Sequence, residues 1–131
     1  MQLYVDTSAL VKLVVVEAES AALRSYLAEY ASDIRMAAAL TRTEFVRAVA
    51  AHRSIDVLEN ARRVLARMHL VTLSNRLLDA AATMAPPELR TLDAIHLAAA
   101  LTAPDLRAMV TYDSRLAEAA ADLSIAVAAP H

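Results

Sequence analysis

Short apolar segments alternate with stretches of helical periodicity along this chain, and no other feature restricts its fold as much. Leu3 to Val5 reads as a strand, and Ser8 to Val16 as a short helix with Leu10, Leu13 and Val14 on one face. After a polar break at Glu17–Ser20, a helix from Ser20 to Ala31 carries Leu23, Tyr26, Leu27 and Tyr30 at helical spacing. Asp33 to Ala37 is a brief second strand. Thr41 or Thr43 opens a helix that reaches His52. Asp56 begins the next, with Val57, Ala61, Val64, Leu65 and Met68 inward and Arg62, Arg63 and Arg67 outward. Leu70–Leu73 is strand-like, and Ser74 caps a helix from Arg76 to Met84 that Pro86 and Pro87 break. Thr91 caps a helix over Leu92–Leu101. Met109–Tyr112 then reads as a strand, Ser114–Ala121 as a helix and Ile125–Val127 as a last strand. Alternation of this kind, without repeat or linker, predicts an α/β fold with a mostly parallel central sheet flanked by helices on both faces.

The bulk numbers narrow the functional classes. A length of 131 residues suits one domain spanning 1–131. A hydrophobic content of 58% against 21% charged residues excludes a disordered chain. The formal charge of -2 argues against a protein that coats nucleic acid. It leaves room for an enzyme that meets phosphates through a metal and a local basic patch. Cysteine is absent, which removes disulfides, thiol nucleophiles and thiolate zinc sites. Glycine is absent too, so neither a P-loop nor a dinucleotide fingerprint can be written. Asp6 interrupts the first apolar run, and no apolar run approaches the ~20 residues that span a bilayer. The expectation is a cytoplasmic protein with no membrane partner.

Four acids occupy comparable places. Asp6 follows the strand Leu3–Val5, and Asp113 follows the strand Met109–Tyr112. Strand ends in one parallel sheet face the same rim, where ligands bind in such folds. Glu44 and Asp93 lie in the first turns of helices, whose N-termini face that rim as well. For each acid alone, a helix cap or a solvated charge is an adequate account. Four together are costly without a cation, since two full charges ~4 Å apart repel by about 4 kcal/mol at an effective dielectric near 20. A hard divalent ion with oxygen ligands, Mg²⁺ or Mn²⁺, relieves that repulsion.

The residues around these acids carry a family resemblance. Leu3-Tyr4-Val5-Asp6-Thr7-Ser8-Ala9-Leu10-Val11-Lys12-Leu13 resembles the opening motif of PIN-domain nucleases. Glu44-Phe45-Val46-Arg47-Ala48 resembles their second acidic motif, and Leu89 to Ala100, around Asp93, the third. Val110 to Leu116, around Asp113, resembles the fourth, and within the family the likeness is greatest to VapC toxins of toxin–antitoxin pairs. The resemblance implies a single PIN-like domain and a Mg²⁺- or Mn²⁺-dependent endoribonuclease that hydrolyses RNA phosphodiesters with water activated by the cation. Asp6 and Asp93 would be the principal metal ligands, with Glu44 and Asp113 completing the set directly or through water. Ser8 and Thr111 match small hydroxyl positions that would orient a ligand carboxylate or a water. It also implies a VapB-like antitoxin, whose arginine could reach the acids, and a homodimer.

Other residues weigh less. His96, a turn beyond Asp93, is expected to be structural, because hard cations prefer oxygen. Asp79 and Asp105 follow no strand end and read as surface or cap residues. Lys12, Arg42, Arg90 and Arg115, together with Arg47, flank the motifs and could hold the RNA backbone, with Arg90 alternatively balancing the acids. The apolar faces of Tyr26, Leu27, Tyr30 and the Val57–Met68 helix serve the core first and a partner groove second. Two competing readings stand beside the nuclease. A phosphotransfer protein would want a second aspartate where Ser8 stands, and a catalytically inactive PIN-like scaffold that binds RNA or protein would not need the intact acid set.

Overall fold

A computed structural model describes all 131 residues. Five strands form one sheet: β1 (Gln2–Val5), β2 (Ile34–Ala38), β3 (His69–Val71), β4 (Leu106–Val110) and β5 (Val127–Ala128). Their order is β3-β2-β1-β4-β5, and every neighbouring pair is parallel. Seven helices connect them: α1 (Thr7–Val14), α2 (Ser20–Glu29), α3 (Thr41–Ala50), α4 (Ile55–Ala66), α5 (Asn75–Ala82), α6 (Thr91–Ala100) and α7 (Ser114–Asp122). No helix is long and apolar enough to cross a membrane.

Alternation along the strands supplies a core on each face of the sheet. Tyr4, Met36 and Met109 face one way and pack with Leu77, Leu97 and Leu116 from α5, α6 and α7. Leu3, Val5 and Val110 face the other way and pack with Leu10, Leu23, Phe45 and Leu65 from α1 to α4. Seven of the ten residues of α6 are buried. Ala94, Ala98, Ala99 and Ala100 supply that burial with little bulk, so the helix can lie close against the sheet. At the N-terminal end of the sheet Asp33 is buried against Arg107, whose guanidinium stacks 4.0 Å over the Tyr30 ring.

The chain winds outward from β1 in both directions, first to β2 and β3, then back across to β4 and β5. The winding therefore reverses between β1 and β4. In open α/β sheets the crevice beyond the carboxyl ends of the strands at that reversal is where ligands bind.

Some boundaries differ from the sequence reading. The fourth strand runs over Leu106–Val110 rather than Met109–Tyr112, because its register against β1 pairs Ala108, Met109 and Val110 with Leu3, Tyr4 and Val5. Thr111 and Tyr112 therefore lie beyond the strand and turn toward the rim. The last strand is Val127–Ala128 rather than Ile125–Val127. Thr91 is the first residue of α6 and not its cap; Arg90 holds the cap position and makes no capping bond with its side chain. With no glycine to end the helices, Arg53 and Ser124 take positive φ angles of 50° and 60° just after α3 and α7. In residues that carry a Cβ that conformation costs about 1–2 kcal/mol each.

Candidate active site

Asp6, Glu44, Asp93 and Asp113 line one open cleft of about 380 Å³ at the winding reversal, together with Thr7, Ser8, Arg90 and His96. Each acid stands at the N-terminal end of a different helix. Asp6 is the N-cap of α1 and Asp113 the N-cap of α7. Glu44 lies in the first turn of α3 and Asp93 in the first turn of α6. A helix N-terminus carries roughly +0.5 of an elementary charge. Four of them directed at one cleft offset part of the repulsion among the carboxylates.

Asp6 both caps its helix and faces the cleft. The Asp6 carboxylate caps the helix with one oxygen. Oδ2 accepts from the Ser8 backbone N–H (3.3 Å), the Ser8 hydroxyl (2.8 Å) and the Thr111 hydroxyl (3.0 Å). Oδ1 accepts none of these, so one oxygen is fixed and the other is available. Ser8 and Thr111 are themselves held: Ser8 Oγ accepts the Tyr112 N–H at 2.9 Å, and Thr111 Oγ1 accepts the Asp113 N–H at 3.1 Å. The two hydroxyls thus tie the loop after β4 to the start of α1, bringing Asp6 and Asp113 to one rim.

Glu44 is positioned from below. His96 is 3% exposed, and its Nε2 lies 2.9 Å from Glu44 Oε1. A carboxylate only accepts, so Nε2 carries a proton. On the other side of the ring, Nδ1 meets the Tyr4 hydroxyl at 2.6 Å, and that hydroxyl accepts the Ala38 N–H at 3.0 Å. Burial pushes the Tyr4 phenol far above its ordinary range. Burial also lowers the His96 pKa, but the Glu44 hydrogen bond and the charges of Glu44, Asp6 and Asp93 outweigh it, leaving a net rise. The sequence marked His96 as structural and did not connect Tyr4 to the site. One signal was present: a tyrosine in a fully buried strand has to find a partner for its hydroxyl.

The basic residues separate. Arg90 turns inward: its Nε donates to Asp93 Oδ2 at 2.8 Å and its Nη2 to Asp93 Oδ1 at 3.2 Å, with Asp113 Oδ2 at 3.4 Å. Lys12 corrects an expectation. It is 9% exposed, pairs with Glu17 at 3.1 Å and Glu19 at 2.8 Å, and lies 4.7 Å over the Tyr112 ring. Its charge is satisfied inside the fold, because the polar break after α1 folds back onto the helix, and it does not stand free for a backbone phosphate. Arg42 and Arg115 are exposed, Arg42 beside Arg62 over a separate shallow cleft between α3 and α4. Asp79 and Asp105 are exposed and away from the cleft. Leu27 is core, with Tyr26 and Tyr30 packed against it.

The model of the PIN domain matches residues 3–122 of this chain. The chain belongs to the PIN-domain family. Curated relatives extend the likeness over almost the whole length. It is 46% identical to "Ribonuclease VapC46" of Mycobacterium tuberculosis strain H37Rv, over 98% of this chain and 97% of that protein. It is 45% identical to "Ribonuclease VapC35" and 38% identical to "Ribonuclease VapC47" of the same species, each over 98% of this chain and 96% of the relative.

The free ligand atoms that this PIN domain offers the cleft are carboxylate oxygens, since both nitrogens of His96 are engaged by Tyr4 and Glu44, and oxygen suits a hard divalent cation. Asp6 Oδ1 and Glu44 Oε2 accept no hydrogen bond from the protein, so two carboxylates on different helices offer free oxygens. The acids do not form a ready-made cage. No three acidic or histidine side chains are grouped closely enough to hold an ion as they stand. Asp93 has both oxygens on Arg90, and Asp113 uses one on the backbone N–H groups of Arg115 and Leu116. The donor chemistry fits Mg²⁺ or Mn²⁺, and a cation approaching Asp93 meets the Arg90 guanidinium on both of its oxygens.

Proposed function

We propose that this chain is a Mg²⁺- or Mn²⁺-dependent endoribonuclease, the toxin of a type II pair with a VapB-like antitoxin. The observation that carries the reading is the convergence of Asp6, Glu44, Asp93 and Asp113 on one cleft at the winding reversal. The ribonuclease relatives, aligned over nearly the full chain, support it. Asp6 and Asp93 are assigned as metal ligands, with Glu44 and Asp113 acting directly or through water. When bound, the cation neutralises charge on the phosphate and lowers the pKa of water for attack on phosphorus.

The protein's own groups prepare the site for that chemistry. Ser8 and Thr111 hold one oxygen of Asp6 and thereby aim the other into the cleft. His96, braced by Tyr4, fixes the Glu44 carboxylate between α6 and α3. Such fixed partners keep ligands oriented before a cation arrives. Arg42 and Arg115 are assigned to the RNA backbone, and Lys12 is withdrawn from that role. The pairing with RNA and antitoxin, a homodimeric state and action in the cytoplasm complete the proposal.

The test is cleavage of cellular RNA by the purified protein in Mg²⁺ or Mn²⁺, with and without EDTA, for the wild type and Asp93→Asn. Cleavage that needs both the cation and Asp93 is expected, with new 5′ ends mapped by sequencing. Equal cleavage by the variant, or in EDTA, would falsify the assignment.

A further inference from the structure

We propose that Arg90 is the cleft's resident counter-ion: it neutralises Asp93 and Asp113 in the metal-free protein, competes with the divalent cation for them, and once displaced offers its guanidinium to the RNA phosphate. This rests on the ribonuclease reading for its last step only.

The geometry separates Arg90 from the other cations. It is the one arginine or lysine side chain hydrogen-bonded to any of the four acids, and it grips two of them, from different helices, at 2.8 and 3.2 Å on Asp93 and 3.4 Å on Asp113. The forked guanidinium suits a carboxylate, and the Asp93 side chain is only 8% exposed. Arg90 itself is 49% exposed in its side chain, so it closes the cleft from the solvent side. Its Nη1 makes no hydrogen bond to the protein. Among four carboxylates and one guanidinium the local balance is three negative charges, before any contribution from His96. The cleft therefore still attracts a dication, yet Arg90 already holds both oxygens of Asp93, a carboxylate about as buried as Asp6.

Two consequences follow from charge alone. A dication entering the cleft meets both a competitor for Asp93 and a like charge a few ångströms away. Release of Asp93 leaves a half-exposed guanidinium at the mouth with its donors free. A guanidinium so placed matches a phosphate diester, which accepts two parallel N–H bonds as a carboxylate does. The position is set by sequence: Arg90 precedes Asp93 by three residues and occupies the α6 cap without making a capping bond, so its side chain is free to fold back over the first turn.

The experiment is a Mn²⁺ titration of the metal-free protein by calorimetry, for the wild type, Arg90→Gln and Arg90→Lys, with thermal melts in parallel. Arg90→Gln is expected to bind Mn²⁺ more tightly, by about ten-fold as the order of effect of one nearby like charge after solvent screening. Its metal-free form should melt at a lower temperature, with a larger rise on adding Mn²⁺. Arg90→Lys, which keeps the charge and loses the fork, should fall between. Unchanged or weaker Mn²⁺ binding by Arg90→Gln overturns the proposal. Should that variant fail to fold, the wild type still decides: the Arg90 Nε–H resonance should be protected from exchange in the metal-free protein and should shift on adding Mg²⁺. A resonance that Mg²⁺ leaves in place overturns it equally. At saturating Mn²⁺, Arg90→Gln should cleave RNA more slowly despite its tighter metal binding. Tight metal binding by Arg90→Gln with no RNA cleavage by the wild type would remove the nuclease reading and leave the counter-ion role standing.

Discussion

Nε2 of His96 on α6 lies 2.9 Å from Oε1 of Glu44 on α3, so a buried imidazole sets the position of a carboxylate brought in by a helix from the opposite face of the sheet. The contact runs past the carboxyl end of the sheet and is braced by Tyr4 on the central strand. The acid cleft is thus anchored in the core.

Removing that brace should be costly. Tyr4→Phe leaves the Ala38 N–H and His96 Nδ1 without their buried partner, and each unsatisfied polar group costs about 1–3 kcal/mol. Urea denaturation should show a loss of about 2–6 kcal/mol for the two groups together, accompanied by slower RNA cleavage. A variant as stable as the wild type would contradict the bracing role.

His96 should make stability fall as pH rises. Burial of the ring lowers its pKa, but the Glu44 bond and the charges of Glu44, Asp6 and Asp93 leave it above the ordinary 6.5 in the folded state. The folded protein therefore holds the proton more tightly than the unfolded chain. The contribution is complete below pH 6.5 and is lost as pH climbs through the higher folded-state value. Metal-free wild type compared with His96→Gln across that window should show a stability difference that shrinks with rising pH. A difference that grows contradicts the assignment.

Asp6→Asn should separate fold from chemistry. The amide oxygen can still accept from Ser8 and Thr111, so circular dichroism is expected to remain native. The charge offered to the cation is gone, and RNA cleavage should drop by about 10²–10³-fold or more. Stabilisation by Mn²⁺ should weaken in parallel.

Thr111 should tolerate serine but not valine. Its hydroxyl is buried, donates to Asp6 Oδ2 at 3.0 Å and accepts the Asp113 N–H at 3.1 Å. Valine keeps the shape and removes both bonds, a loss of about 1–3 kcal/mol. Thr111→Ser should retain most of the activity that Thr111→Val loses, as judged by initial rates of RNA cleavage.

Ser124→Gly should stabilise the protein. Ser124 has a φ of 60°, and relief of its Cβ crowding offers about 1 kcal/mol. A rise of a few degrees in Tm is the expected reading, with cleavage unchanged because α7 is approached from its far end.

Alternation of apolar segments and helical patterns was sufficient for the α/β class and for parallel pairing, since parallel strands need long crossovers and the chain supplies helices of that length between them. The positions of Asp6 and Asp113 just after strands, and of Glu44 and Asp93 in first helical turns, were also local facts of sequence. Each depends only on where an element starts or stops. The end of β4 was less legible, because Thr111 and Tyr112 continue a β-like run and only the register against β1 stops the strand at Val110.

What the tertiary structure alone decided is which charges neutralise which. Lys12 and Arg90 look alike in sequence, as basic residues beside an acidic motif. One is drawn beneath Tyr112 onto Glu17 and Glu19, while the other spans Asp93 and Asp113. The Tyr4–His96–Glu44 chain joins residues 40 and more positions apart in the sequence. Periodicity reports the environment each residue prefers, and an ion pair or buried hydrogen bond depends on which groups meet when separate elements pack. That meeting is fixed by strand order and register, and here it turns four helix starts into one cleft.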